Sequence, residues 1–282
     1  MNKISRTNIP AWKVLKKYSG TLLTLVLLSV VLSIATDSYL QSSNMINILR
    51  QVSCNAIISF GMTYLLICGS IDLSVGSVCA LSGVTLITLV KNGCNFYLAL
   101  LCALLTGLLS GLVNGLLVAK LKVPAFIATL ATQFGIRGFA YLISNNSPVR
   151  VDSDAVFYFG NGSLFGIPNT IYYLVIIAVI TGIILSKTRF GRQMYATGGN
   201  EEAAIHSGIN TKKVIIAAHV ICSLLAAFVG VIWASRVYSG QPTLGSGFEG
   251  DAIAAAVLGG TSFSGGVGTI AGTGCPNHRC DR

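Results

Sequence analysis

Residues 92–119 read NGCNFYLALLCALLTGLLSGLVNGLLVA, an uncharged and strongly apolar run between Lys91 and Lys120. A helix needs roughly 20 mostly apolar residues to cross the hydrocarbon core of a bilayer, and this run is long enough. Further runs without Asp, Glu, Lys or Arg cover 18–36, 51–71, 73–90, 155–186, 214–235 and 252–278, and 123–149 is interrupted only by Arg137. The pattern predicts an all-α polytopic transmembrane helical bundle of about seven or eight spans, the last beginning near Asp251.

The composition excludes several other classes of protein. Of the 282 residues, 53% are hydrophobic and only 10% are charged, whereas a soluble domain carries about 25% charged residues. The chain therefore lacks the polar surface of a water-soluble fold and is too apolar to be disordered. The net charge of +10 comes from short basic clusters between the apolar runs, which indicates a membrane protein and no nucleic-acid partner.

The basic clusters also predict the orientation, because loops rich in Lys and Arg tend to stay in the cytoplasm. The N-terminal tail, residues 1–19, contains Lys3, Arg6, Lys13, Lys16 and Lys17. If this tail is cytoplasmic, alternation of the spans places Lys120, Lys122 and the basic loop 187–213 on the same side. We therefore expect a multi-pass protein of the cell membrane with a cytoplasmic N-terminus.

Three charged residues lie at unusual positions. Arg137 is near the middle of the fifth span, Asp72 lies in the glycine-bearing break GSIDLSVGS (69–77), and Asp251 begins an Ala-rich segment. A charge inside a span usually faces an aqueous cavity or a partner, and broken apolar segments commonly line translocation routes. A structural salt bridge is an open alternative for Arg137, and helix capping is one for Asp251.

The sequence contains no pattern for catalysis, nucleotide binding or a metal site. No glycine loop ends in Lys-Ser or Lys-Thr to hold phosphates. His206, His219 and His278 are far apart and have no acidic or cysteine partners at ligand spacing. We expect His219 to be a packed histidine on an apolar helix face. The chain is therefore expected not to be an enzyme.

Small residues indicate where helices pack closely. Gly107, Gly111 and Gly115 recur every four residues, which places them on one helix face where another backbone can approach. Two Ser/Gly-rich turns, 69–77 and 260–269, each follow an apolar segment and weakly resemble one another.

The loop 187–213 contains a predicted helix. Asn200 is a good N-cap, Glu201 and Glu202 fall in the first turn, and Gly208 is a stop signal. A helix of about two turns between two cytoplasmic helix ends can dock in a groove of a soluble partner. The alternative interpretation is an ordinary connecting loop.

This loop also carries a family resemblance. Residues 190–209, FGRQMYATGGNEEAAIHSGI, resemble the coupling segment of ABC-importer permeases for ribose and related monosaccharides. Similar stretches follow one another in the order of that family over residues 20–274: 71–77, 113–115, 123–130 and 251–262 with Gly265 and Gly266.

The resemblance implies a transmembrane permease subunit that moves a monosaccharide by alternating access. It implies two cytoplasmic ATP-binding subunits, which hold ATP and Mg²⁺, an extracytoplasmic sugar-binding protein, and a second permease subunit, identical or different. This chain itself would bind no cofactor or metal and would carry no catalytic residue. Permeases for branched-chain amino acids or nucleosides are the alternative, and a membrane enzyme or channel without an ATPase partner is a further one.

The resemblance also assigns residues. Residues 20–274 form the transmembrane permease domain, which includes the cytoplasmic coupling loop 187–213. Contact with the ATPase is expected from Gly191, Arg192, Tyr195, Ala196, Gly198, Gly199, Asn200, Glu201, Ala203, Ala204 and Gly208. The residues expected to lie on the translocation pathway are Asp72, Asn114, Thr129, Arg137 and Asp251.

The last eight residues depart from the family pattern. Family members usually continue with further apolar helices after the equivalent of Gly272-Thr-Gly274, whereas this sequence continues as CPNHRCDR. We expect residues 275–282 to be a non-native tail on a truncated chain, which could be a non-functional fragment. A short permease with a zinc-binding tail is the competing interpretation, although Cys275, His278 and Cys280 are cramped for a tetrahedral site.

Overall fold

The computed structural model describes residues 23, 24, 26–36, 38–270 and 273. The predictions for the tails 1–19 and 275–282 lie outside these residues. The chain divides into two compact units, Met1–Leu49 and Arg50–Arg282. The first unit contains α1 (Val26–Ala35) and the beginning of α2 (Ser42–Ile67).

The second unit contains the rest of α2 and the remaining elements. Its helices are α3 (Val75–Lys91), α4 (Phe96–Ala119), α5 (Ala125–Ser144), α6 (Asp154–Asn161), α7 (Asn169–Lys187), α8 (Arg189–Gly199), α9 (Glu201–His206), α10 (Thr211–Arg236) and α11 (Phe248–Leu258). Two antiparallel pairs join β1 (Val149–Arg150) to β4 (Ser239–Gly240) and β2 (Ser163–Leu164) to β3 (Ile167–Pro168). The predicted all-α membrane fold is confirmed, with strands confined, among the described residues, to these short pairs.

Four helices in the described part of the chain are long and apolar enough to cross a membrane: α4, α5, α7 and α10. The count of seven or eight spans stays a prediction. The two runs that flank the Asp72 break correspond to α2 and α3. The α2 helix begins at Ser42, before the apolar run at 51, and includes Arg50, which donates to the Asn161 carbonyl at 3.2 Å.

The uncharged run 155–186 is not one continuous helix. It begins with most of α6, continues through the β2–β3 hairpin and ends with α7. Phe165 and Gly166, the two residues of the hairpin turn, both have positive φ angles of 51° and 78°, as a tight two-residue hairpin turn requires. The absence of charge in a run therefore did not reveal this break in the helix.

Another helix packs closely against the glycine face of α4, as predicted, and the structure shows that this helix is α10. A Cβ atom at Gly107 would lie 2.7 Å from the Ser223 carbonyl oxygen, and one at Gly111 would lie 2.7 Å from that of His219. A Cβ atom at Gly115 would lie 2.7 Å from the Ile216 Cα. Real Cβ contacts are not this short, so only glycine lets the two backbones approach along this face.

The polar break after α2 is also confirmed, because residues 68–74 are not helical and α3 starts at Val75. This break lies against α4 and α10, and its residues Ser70, Asp72 and Ser74 are almost completely buried. The break thereby places polar side chains among apolar helices.

Candidate translocation and coupling sites

Asp72 is the centre of a buried polar cluster. Its Oδ1 accepts hydrogen bonds from the Ser74 backbone N–H at 2.8 Å and the Ser74 hydroxyl at 2.6 Å. The Asn114 side-chain amide lies 3.3 Å from both carboxylate oxygens, and the Ser223 hydroxyl donates to Oδ2 at 3.2 Å. Since a buried charge is costly unless it is bonded, these donors explain how a fully buried carboxylate is tolerated.

His219 completes the Asp72 cluster from α10. Its ring is fully buried, with Nδ1 3.9 Å from Asp72 Oδ2 and Nε2 3.0 Å from the Ser70 hydroxyl oxygen. The longer distance exceeds that of a direct hydrogen bond but allows electrostatic attraction when the ring is protonated. His219 is packed, as expected, but it also has an acidic neighbour that the sequence did not show.

A third helix, α5, reaches the Asp72 cluster through Asn114. The Thr132 hydroxyl of α5 donates to the Asn114 side-chain oxygen at 2.6 Å. The cluster therefore ties the break after α2 to α4, α5 and α10. The members of this cluster that the sequence did not assign to a site are Ser70, Ser74, Thr132, His219 and Ser223. One available signal was that His219 and Ser223, four residues apart, share one face of an apolar helix.

The structure separates the five predicted pathway residues into two groups. Asp72 and Asn114 are in direct contact, and Thr129 lies one turn before Thr132 with its hydroxyl bonded to the Ala125 carbonyl at 2.7 Å. All three are enclosed, with no exposed surface. Arg137 is partly exposed and Asp251 is exposed.

Arg137 binds backbone carbonyls. Its Nη1 donates to the Pro242 oxygen at 2.8 Å and to the Leu244 oxygen at 2.5 Å. Among the described residues no carboxylate lies within salt-bridge distance of Arg137, so the structure gives no support there to an inter-helix salt bridge. Arg137 instead holds a non-helical segment that leads from β4 to α11.

Asp251 lies in the first turn of α11, whose N-cap position is occupied by Gly247 without a side-chain cap bond. Capping in the strict sense is therefore not its role. Together with Glu249 it places negative charge at the N-terminal end of the helix, where the helix dipole favours it.

The coupling loop contains two helices. Asn200 caps α9 by accepting from the Ala203 N–H at 2.9 Å, and Gly208 follows the helix with a φ angle of 81°. These predicted signals are confirmed. The preceding helix α8 was not predicted; Thr188 caps it by accepting from the Gly191 N–H at 3.2 Å.

The α8 helix packs tightly against other parts of the second unit. A Cβ atom at Gly198 would overlap the Ile67 carbonyl oxygen at the end of α2, to which the Gly266 N–H donates at 2.9 Å. The Tyr195 hydroxyl donates to the Gly268 carbonyl at 2.5 Å. The end of α2 and the Ser/Gly turn at 260–269 therefore meet at α8.

The predicted coupling residues consequently face two ways. Gly191 and Ala204 are buried, and Tyr195, Ala196 and Gly198 are partly buried. The exposed ones are Arg192, Gly199, Asn200, Glu201, Ala203 and Gly208. The exposed set is available to a partner, while the buried set holds the segment in place.

Residues 44–275 match the family model described as "Branched-chain amino acid transport system / permease component". The chain belongs to this permease family. As a member, the permease is a component of a transport system, and its apolar helices make it a multi-pass membrane protein.

Several curated relatives are similar over most of their length. The permease is 45% identical over 256 residues to a ribose import permease protein of Bacillus subtilis (strain 168), covering 90% of this chain and 80% of the relative. It is 41% identical over 267 residues to a ribose import permease protein of Escherichia coli (strain K12), covering 93% of this chain and 82% of the relative. An L-arabinose transport system permease protein of the same strain is 39% identical over 251 residues, covering 89% and 76%. No solved structure matches.

Proposed function

We propose that the permease is the membrane-spanning subunit of an ABC importer for a monosaccharide of the ribose type. The observation that carries this proposal is the 39–45% identity to ribose and L-arabinose permeases over most of both chains. Both named sugars are neutral and rich in hydroxyl groups. The protein would therefore need hydrogen-bonding groups along the translocation route and no charged group to neutralise the solute. The sugar would cross by alternating access.

The energy would come from other subunits. In this proposal two cytoplasmic ATP-binding subunits hold ATP and Mg²⁺ and contact the exposed side of α8 and α9, while this chain binds no cofactor and hydrolyses no ATP. The support is the exposed, capped α9 with Glu201 in its first turn and Arg192 on α8. In this proposal α8, α9 and the N-terminus lie on the cytoplasmic side.

Two further partners belong to the proposal. An extracytoplasmic sugar-binding protein would deliver the solute at the opposite side, and a second permease subunit, identical or different, would complete the pathway. Arg137 and Asp251 are the predicted pathway residues whose exposure suits contact with water, whereas the enclosed Asp72, Asn114 and Thr129 would act by holding helices together.

Uptake by the assembled transporter tests the substrate. The permease, its own ATP-binding subunits and its own binding protein are expressed together in cells that lack uptake systems for the tested solutes. We expect energy-dependent accumulation of radiolabelled D-ribose or L-arabinose and none of leucine. Accumulation of leucine alone would favour the amino-acid alternative that the family description suggests, and would overturn the sugar assignment.

A surface substitution tests the coupling assignment. Glu201→Lys reverses an exposed charge without touching the packing of α8, so membrane insertion should be unchanged while solute-stimulated ATP hydrolysis is lost. Glu202→Lys, in the same turn, is the matched comparison for a general effect of charge. Normal coupling in the Glu201→Lys transporter would contradict the proposed contact.

A further inference from the structure

The 241–247 segment connects β4 to α11 and runs beside α3 as non-helical backbone. A Cβ atom at Gly240 would lie 2.7 Å from the Val84 Cα, and one at Gly245 would lie 2.6 Å from the Gly76 carbonyl oxygen. Between these two contacts the segment passes eight residues of α3, or about 12 Å at 1.5 Å per residue. It therefore lies alongside the helix rather than beyond its end.

Arg137 gives the depth of the segment relative to a spanning helix. The two carbonyls that Arg137 binds belong to Pro242 and Leu244. Arg137 is seven residues before the end of α5, which is about 10 Å along the helix axis. Since α5 is long and apolar enough to span a membrane, this backbone lies within the thickness of the bilayer.

One side of the segment is covered and the other is open. Pro242 and Gly245 are buried, while Thr243, Ser246 and Gly247 are exposed. The backbone N–H groups of these three exposed residues donate no hydrogen bond to any described residue. The Ser246 hydroxyl bonds only locally, to the Thr243 carbonyl at 3.0 Å.

Such a surface is incompatible with lipid. Non-helical backbone at membrane depth is tolerated only where it is buried in protein or lines a water-filled cavity, because each unsatisfied group costs several kcal/mol in hydrocarbon. The adjacent exposed side chains of α5, such as Phe139 and Leu142, are apolar and suit lipid instead. The polar face and the apolar face of this region therefore have different surroundings.

We propose that the 241–247 segment lines the aqueous translocation route and presents the half-buried Gln241 and the exposed Thr243 and Ser246 to a neutral, hydroxyl-bearing solute. Amide and hydroxyl groups both donate and accept hydrogen bonds, which matches such a solute. Arg137 acts here as a positioning residue, because its two bonds hold the segment against α3 and α5. The chemical nature of the solute in this inference rests on the proposed function. The exposure of the segment to water is independent of that function.

Cysteine labelling in native membranes tests this exposure. Thr243→Cys and Ser246→Cys are made separately in a full-length chain whose Cys94, Cys102, Cys275 and Cys280 are serine, and the complete transporter is expressed. Phe139→Cys, two residues from Arg137 on α5, is the control at similar depth. The probe is a charged, membrane-impermeant methanethiosulfonate, which reacts with thiolates and therefore only where water reaches them.

We expect Thr243→Cys and Ser246→Cys to react about tenfold faster than Phe139→Cys, since thiolate forms only in a hydrated site. If both react as slowly as Phe139→Cys, the segment faces lipid or protein and the inference is wrong. If both react only after the subunits are separated in detergent, a partner subunit covers them, which also overturns it. D-Ribose uptake by the parent transporter is measured separately, so that failure of the sugar assignment is distinguishable from failure of the labelling.

Discussion

The Asp72 cluster and the 241–247 segment are two polar regions inside one apolar protein. The first is completely buried, whereas the second has one exposed side. Asp72 is fully buried and bonded by Ser74, Asn114 and Ser223 from its own break and two helices. The 241–247 segment is held on one side by Arg137 and exposed on the other. A buried charge with every oxygen bonded indicates a structural tie, whereas polar backbone left open indicates contact with water.

The comparison is tested most strongly at Asp72. Asp72→Ala leaves the donors of Ser74, Asn114 and Ser223 without an acceptor in a closed site, so we expect a loss of about 3 kcal/mol in unfolding free energy, the upper end of what unsatisfied buried donors cost. SDS titration of the purified protein in mixed micelles measures this loss. Asp72→Asn, which keeps the shape and one acceptor oxygen, should lose less. Equal stability of the wild type and Asp72→Ala would show that the site is not closed.

A double-mutant cycle sharpens the assignment of His219 to the same cluster. Asp72→Ala, His219→Ala and the double variant are compared by the same titration. Because the two side chains share one buried network, the combined loss should fall short of the sum by about 0.5–3 kcal/mol. Strict additivity would mean that the 3.9 Å approach of His219 to Asp72 carries no energy.

A smaller loss is expected at Arg137. Arg137→Gln removes the donor to two carbonyls, but these belong to a segment that water can reach from its open side, so the cost should be about 1 kcal/mol. The same change should increase cysteine labelling at position 246, because the segment is no longer held. A loss as large as that of Asp72→Ala would place Arg137 in a closed site and remove the contrast between the regions.

The smallest effect is expected at Asp251. Its carboxylate is exposed in the first turn of α11 and makes no side-chain bond to a described residue, so Asp251→Asn should cost only the helix-dipole interaction, about 0.5 kcal/mol of unfolding free energy. Uptake of D-ribose by the Asp251→Asn transporter is the informative measurement. Reduced uptake with no greater loss of stability would support a pathway role, and unchanged uptake would leave only the interaction with the helix dipole.

Local sequence signals predicted the local structure well. The four-residue spacing of Gly107, Gly111 and Gly115 predicted a close helix contact, and Asn200 and Gly208 predicted the limits of α9, because each signal acts within one or two turns of the chain. The same reasoning missed α8 and the hairpin at Phe165–Gly166. Both lie in segments where charge content, rather than backbone geometry, guided the prediction.

Local sequence signals could not predict contacts between segments that are far apart in the chain. Asp72 was singled out as a charge in a break, but its bond to Ser223 joins residues 151 positions apart in the chain. His219 was expected to be packed, and nothing in its neighbourhood in the sequence revealed an acidic partner. For Arg137 the sequence suggested a pathway role or a salt bridge. It could not indicate the carbonyl partners, because every residue has a backbone acceptor and the sequence does not show which ones lie nearby.

The sequence by itself determined that this protein is an apolar, multi-helical membrane protein, where α2 ends and where α9 begins. These properties follow from hydropathy and from side chains that cap the nearest backbone groups, so they need no knowledge of the rest of the fold. Only the tertiary structure decided that Asp72 is enclosed while the 241–247 segment is open. Burial depends on which helices pack over a residue, and that packing brings together positions far apart in the chain.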